Sequence, residues 1–91
     1  MPGVRAPLMP YRYQPAILEE LARFGVFPTE RTPPAVVHEF INDLYRFELR
    51  KLRQRLVRKE IAREEYSSHV VDLRRRYPLV SIRASLWLVP E

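Results

Sequence analysis

Two stretches of this chain carry residue types that could do chemistry: HEFIN at 38–42 and RFELRKLRQRLVRK at 46–59. His38 followed by Glu39 opens the pattern of a zinc-hydrolase helix, in which a second histidine four residues on shares the metal and the glutamate acts as base. Position 42 holds Asn42, so the second ligand is missing. Glu65 and His69 stand one helical turn apart, yet no second carboxylate and histidine pair completes a metal set. Ser67, Ser68 and His69 are consecutive, and helix neighbours point apart, so no nucleophile and base meet there. Two glycines in the whole chain leave no glycine-rich phosphate loop, and the absence of cysteine removes thiolate sites and disulfides. The expectation is a protein with no catalytic residue, no cofactor and no metal.

The stretch 46–59 sets seven basic side chains against one acid and five apolar residues, and the six basic residues between 49 and 59 meet no acid. At about 100° per residue, Leu49, Leu52 and Leu56 fall on one narrow helix face. Arg46, Arg50 and Arg53 line one flank of it, and Lys51, Arg55 and Arg58 the other. Arg74, Arg75 and Arg76, folded back beside residues 46–49 by a helical hairpin, would complete a cluster able to contact phosphates without regard to sequence. Fourteen of the sixteen basic residues are arginine, whose forked guanidinium suits phosphate and carboxylate alike. The competing account is a solvated face on which arginine stems cover apolar surface, with Glu39 and Asp43 answering Arg74 to Arg76. None of the recurring nucleic-acid modules is present. The solvated face is therefore the leading expectation and nucleic-acid binding the alternative. A role on a membrane surface needs a broad exposed apolar face, and this stripe is narrow.

These side chains must be positioned by the elements around them. Residues 1–13 read as an extended arm, with Pro2, Pro7 and Pro10 barring helix and Val4, Leu8, Met9, Tyr11 and Tyr13 available to anchor it. A first helix begins near Gln14 with Pro15 at its first position. It carries Ile17, Leu18, Leu21 and Phe24 on one face and stops at Gly25, after which Val26, Phe27 and Pro28 fold back onto that face. Thr32 is the expected cap of a second helix, ahead of Pro33 and Pro34. From Ala35 to about Lys59 there is no glycine or proline, and Val37, Ile41, Tyr45, Leu49, Leu52 and Leu56 form one stripe. Phe40, Leu44 and Phe47 widen it in the first half only. A turn over 59–66 buries Ile61, and a third helix keeps Tyr66, Val70, Leu73 and Tyr77 in phase until Pro78 ends it. Residues 50–76 resemble short helical-hairpin modules found at protein ends, in Leu52, Leu56, Ile61, Glu64, Glu65 and Tyr66. Glu60 stands where those modules carry glycine, and the resemblance implies a hairpin over under a third of the chain.

After Pro78 the period changes: Val80, Ile82, Ala84, Leu86 and Leu88 alternate with Ser81, Arg83, Ser85 and Trp87, which is a strand signal. A strand needs a partner, supplied by the N-terminal arm or a second subunit; otherwise the tail lies extended on the helices. Trp87, out of phase with the alternating apolar face, is the expected interface anchor.

The expected fold is thus mostly α, a single small domain over 1–91 with an arm (1–13), a helical core (14–77) and a tail (78–91) that is extended or a β-strand. The long second helix forms an antiparallel hairpin with the shorter third, and the first packs across the wide apolar half of the second. A composition of 46% hydrophobic and 30% charged residues with a net charge of +5 is that of a globular chain. The first fifteen residues hold four prolines and no continuous apolar block, unlike a signal peptide. No apolar run approaches the roughly 20 residues of a membrane span, so a cytoplasmic protein without a membrane partner is expected.

Ninety-one residues bury only about 60 to 65% of their unfolded surface, and a chain without disulfides or metal commonly compensates by oligomerising. The second helix, about 37 Å long, outruns the roughly 32 Å diameter of a compact chain of this length. Leu52 and Leu56 would then be only partly covered, and Ile82, Leu86, Trp87 and Leu88 would lack a partner in the chain. A two-fold dimer answers all three strains. The functional expectation is a non-catalytic protein–protein interaction or assembly protein acting as a small homo-oligomer, with an unidentified protein partner. The alternative is a basic accessory protein binding RNA or DNA through the arginine-rich helix.

Overall fold

Proline punctuation sets where each helix starts. The computed structural model describes residues 10–90, so Val4, Leu8 and Met9 of the arm lie outside the described residues. Three helices follow in order: α1 (Pro15–Ala22), α2 (Pro34–Val57) and α3 (Arg63–Arg76), then two 3₁₀ turns, Pro78–Ser81 and Ala84–Leu86. Both α1 and α2 begin on proline, whose missing N–H falls among the amides that the first turn leaves unpaired anyway. Thr32 does not cap α2. Its hydroxyl accepts the Thr29 N–H at 3.0 Å, closing a turn ahead of the helix, and Pro33 holds the N-cap in extended backbone without a side-chain bond. At the start of α3 the Glu65 carboxylate accepts the Ala62 N–H at 2.9 Å. This is the returning half of a capping box, because Ala62 has no oxygen to supply the other half.

The ends of α1 and α2 use the same device with different residues. Gly25 takes φ +74° while its N–H reaches the Ala22 carbonyl and the Val26 N–H reaches that of Leu21, at 2.9 and 3.0 Å. After α2, Lys59 takes φ +63° while its N–H reaches Leu56 and the Glu60 N–H reaches Arg55, at 3.0 and 2.8 Å. Both are Schellman closures, which glycine fills without steric cost and lysine does not.

α2 and α3 form the antiparallel hairpin, and the two 3₁₀ turns, more than α1, lie against α2. α1 enters the same cluster through Ile17 and Leu21. That cluster gathers Tyr13, Ile17, Leu21, Val37, Ile41, Leu73, Tyr77, Leu79 and Trp87. Two aromatic rings meet Tyr77: Phe24 lies at 4.8 Å and Tyr45 at 5.4 Å between centroids, spacings at which tilted rings attract beyond simple burial. Of the residues after α1, Val26 packs on the core and Phe27 stays 75% exposed. Leu52 and Ile61 are also buried, but apart from the main cluster, at the far end of the hairpin. The molecule is accordingly long, 62 × 24 × 19 Å, with a radius of gyration of 17.4 Å against about 12 Å for a compact chain of this length.

No strand forms among the described residues; the tail makes one antiparallel bridge, Tyr13 with Leu88. Around it the Gln14 N–H reaches the Trp87 carbonyl at 2.9 Å and the Val89 N–H reaches that of Arg12 at 2.7 Å. The ladder goes no further because the Trp87 N–H turns back to the Ala84 carbonyl at 3.0 Å, the Tyr11 N–H goes to the Glu30 carbonyl at 2.9 Å, and α1 begins at Pro15. The Gln14 side-chain amide adds bonds to the carbonyls of Leu86 and Leu88 at 2.8 and 3.1 Å. The alternating residues are not the ones that go inside: Leu79 and Trp87, of the opposite parity, are fully buried, while Leu86 is 59% exposed. The largest side chain in the tail carries the greatest apolar gain, and the chain folds into 3₁₀ turns to place it. The indole N–H is satisfied by the Ile82 carbonyl at 2.9 Å. The tail therefore has its partner within the chain.

Two predictions follow from this packing. Lys59→Gly removes the strain of a left-handed lysine and should stabilise the fold by about 1 kcal/mol, raising the melting temperature by roughly 4 to 8 °C. An unchanged or lower melting temperature would show that the strain is absent. The second concerns two buried phenols: Tyr13 donates to the Thr32 carbonyl at 2.6 Å and Tyr77 to the Glu48 carboxylate at 3.3 Å. Burial first, and the neighbouring Tyr11 or Glu48 second, raise both above the ordinary tyrosine value of 10.0. A phenol whose folded pKa lies above its unfolded one keeps its stabilising share below pH about 10 and loses it as pH rises through the folded value. The melting temperature should therefore fall above pH about 10, and fall less steeply in Tyr13→Phe/Tyr77→Phe. Identical alkaline profiles would remove the phenols from the account.

Candidate interaction surface

α2 spends its inward face on the core, and its composition leaves the outward face unusual. With Val36 at zero, about 100° per residue puts Val37, Ile41, Leu52 and Tyr45 between about 100° and 180°, and of these Val37, Ile41 and Leu52 are buried. Val36, Phe47 and Phe40 fall at about 0°, 20° and 40°, on the far side. They are 62%, 52% and 49% exposed. Phe40 and Phe47 thus do not widen the core stripe; only Leu44 of the three additions packs against the cluster. Lys51 sits over the Phe47 ring at 5.4 Å from its centroid, a cation–π contact that covers only part of it. Val57, at the end of the same helix, is 74% exposed.

The candidate arginines are all exposed, but they do not share one surface. Arg46 is engaged by Asp43 at 2.9 Å and Glu39 at 3.2 Å. Those two acids therefore answer Arg46, one and two turns away on their own helix, and not Arg74 to Arg76. Arg55 lies 3.8 Å from Glu60, and Arg75 lies 3.9 Å from Asp72. Arg50, Arg53 and Arg58 come together with Gln54 and Val57 around a shallow depression of about 360 Å³. None of these three arginines has an ion-pair partner among the described residues. Arg76 lines a different place, the groove between α2 and α3, of about 440 Å³, with Lys51, Arg55, His69, Glu48 and Asp72 above Leu52 and Leu73. Its acids and bases largely offset one another.

The candidate interface residues separate in the same way. Trp87 and Leu52 are buried within their own chain, Leu56, Ile82 and Leu88 are half-buried, and Leu86 is exposed. Trp87 is a core residue and cannot anchor a partner without unfolding the tail. Phe40 and Phe47, which the apolar periodicity placed beside the core stripe, form with Val36 the exposed apolar group. Steps of four and seven from Val36 could have revealed them, because they lie more than 90° from the centre of the stripe that Val37, Ile41 and Leu52 define.

The histidines sit apart from one another. His38 Nδ1 lies 3.3 Å from the Asn42 amide nitrogen, and its ring is 5.2 Å from the Trp87 indole. His38 Nε2 and Asn42 Oδ1 are buried without a hydrogen-bond partner among the described residues. His69 lies in the α2–α3 groove beside Asp72. Among the described residues no three His, Asp or Glu side chains converge as a metal site, and no described helix is long and apolar enough to cross a membrane. No protein-family model, curated protein or solved structure matches the chain.

Proposed function

We propose that this chain is a non-catalytic interaction or assembly protein that works in the cytoplasm as a small homo-oligomer, with a two-fold dimer as its simplest form. The observation that carries this reading is the outer face of α2, where Val36, Phe40 and Phe47 stand about half exposed in one line. A short chain whose core is already thin gains from covering such a face. The elongated shape supports the same reading, since a rod has room for a second copy along its length. The tail does not contribute: its tryptophan is spent inside its own chain. A cytoplasmic setting accords with a chain that has no cysteine.

Sedimentation equilibrium tests the reading. A species near twice the 10.9 kDa chain mass is expected at tens of micromolar. A clean monomer in that range, with a cooperative melt, would sink it.

Nucleic-acid binding is the second reading, favoured by one observation: Arg50, Arg53 and Arg58 share a surface without an acid. Fluorescence anisotropy with generic duplex and single-stranded oligonucleotides separates the two. Three phosphate contacts give a salt slope no steeper than about −3 in log–log form, so binding near physiological salt is expected to be weak and indifferent to sequence. Sub-micromolar, sequence-selective binding would reverse the order of the two readings. Apolar self-association, by contrast, does not weaken steeply with salt.

A further inference from the structure

We infer that two copies of this chain pair through α2 against α2 in antiparallel register, centred between Arg46 and Phe47, with Asp43 of each copy opposite Arg50 of the other. The inference rests on the homo-oligomer reading and adds its surface, direction and register.

The argument begins with the exposed line Val36, Phe40 and Phe47. One flank of that line, read along the helix, is Glu39, Asp43, Arg46, Arg50 and Arg53, within about 120° of Phe47 and all on the same side. Acids occupy its first half and arginines its second. Under a two-fold axis perpendicular to two antiparallel helices, a flank of one copy faces the same flank of the other, since isologous contacts are reciprocal. Residues whose numbers sum to about 93 then lie opposite each other. Asp43 meets Arg50 of the second copy, and Glu39 meets its Arg53. Phe47 lies next to the axis, about 1.5 Å along it from its own symmetry mate's level, and Phe40 rests on the stems of Arg53 and Gln54. A parallel two-fold pairing would instead turn this flank toward the other flank of the second copy, where Lys51, Arg55 and Arg58 stand in the second half and no base stands in the first, so Arg50 and Arg53 would meet bases and Glu39 and Asp43 would meet none. The charge pattern is complementary in only one of the two directions.

The monomer leaves the required groups available. Arg50 and Arg53 have no ion-pair partner among the described residues, and the Asp43 and Glu39 side chains remain 65% and 61% exposed while holding Arg46. A carboxylate can accept from two guanidinium groups at once. A seam confined to one helix of about 36 Å is at the small end for stable dimers, so the association belongs in the micromolar range.

The chain has no cysteine, which makes crosslinking direct. In the full chain, Phe47→Cys should form a covalent dimer on oxidation or with a short bis-maleimide. Phe40→Cys should not, because its mate lies about 20 Å away in the antiparallel register. Val71→Cys, exposed on α3, serves as the control that stays monomeric. Independently, Asp43→Arg and Arg50→Asp should each weaken self-association about tenfold, from two symmetry-related exposed pairs. The double variant should restore it, with helical content by circular dichroism unchanged throughout. Self-association at tens of micromolar without Phe47→Cys crosslinking, or insensitive to Asp43→Arg, overturns the seam while leaving the oligomer standing. Crosslinking through Phe40→Cys overturns the direction. A monomer at all concentrations overturns the oligomer and the seam together. A monomer that dimerises only after removal of residues 1–9 gives the face to the chain's own amino terminus and overturns the pairing with a second copy.

Discussion

The burial of Trp87 organises the main core. Its side chain is fully enclosed, its N–H is met by the Ile82 carbonyl, and its own carbonyl receives the Gln14 N–H. Those bonds tie the last turn of the chain to the residue just before α1. An indole of this size contributes more apolar area than any other tail side chain, and placing it fixes three things at once. The tail must turn twice in 3₁₀ form to bring it inward. Arg12 to Gln14 must stay extended to receive it. α1 must then start at Pro15 with Ile17 and Leu21 facing the same cluster. Both chain ends described here are thereby closed over α2, so the core draws on residues 74 positions apart in sequence without any sheet.

α2 is longer than that core can cover. Val37 and Ile41 belong to the main cluster, while Leu52 lies beside His69 and Leu73 of α3 and Ile61 is buried in the turn before α3. Between them the helix is bridged by half-buried Tyr45 and Leu49. The hairpin end depends on local closure more than on the main cluster, which is why a lysine held at φ +63° matters there. Its Schellman bonds orient the turn that sets Ile61 inward, and Glu65 secures the first turn of α3. Few buried residues oppose local opening of the hairpin end.

The helices were legible because proline and glycine sit at their ends and the apolar residues keep a 3.6 period. Pro15, Gly25, Pro34 and Pro78 stand within a few residues of the boundaries found. The hairpin turn was legible through Ile61 and the acids after it. The tail was not, because alternation of apolar residues reports a period and carries no information on which parity finds a partner. In Leu79 to Val89 the deciding facts were tertiary: backbone N–H groups at Tyr11 and Trp87 that bond away from the bridge, and one large ring whose burial outweighed the alternating set. Phe40 and Phe47 were misassigned to the core stripe for a related reason. A stripe that widens reads as a broader core, and only the packing of neighbouring elements shows that α2 is apolar on two sides. The arginines were located correctly as exposed side chains, but their grouping depended on which acids lay within reach. Asp43 and Glu39 were nearer to Arg46 than any interhelical partner.

The segregation of charge along α2 has an ordinary explanation that must be set aside before it is read as recognition. Acids near a helix N-terminus and bases near its C-terminus are favoured by the helix dipole, so a gradient of this sign can arise in any isolated helix. That preference falls off within the first and last turns. Asp43 lies nine residues from the start of α2 and Arg50 seven residues from its end, two turns inside in each case. Within the helix Asp43 is satisfied by Arg46, while Arg50 and Arg53 are satisfied by nothing described. A purely local optimum would set an acid three or four residues before Arg50 and Arg53. Those places hold Arg46, Phe47, Leu49 and Arg50 itself. The unmatched arginines beside an exposed apolar line are thus not accounted for by the helix that carries them, and their complement in charge, spacing and side is the first half of the same helix.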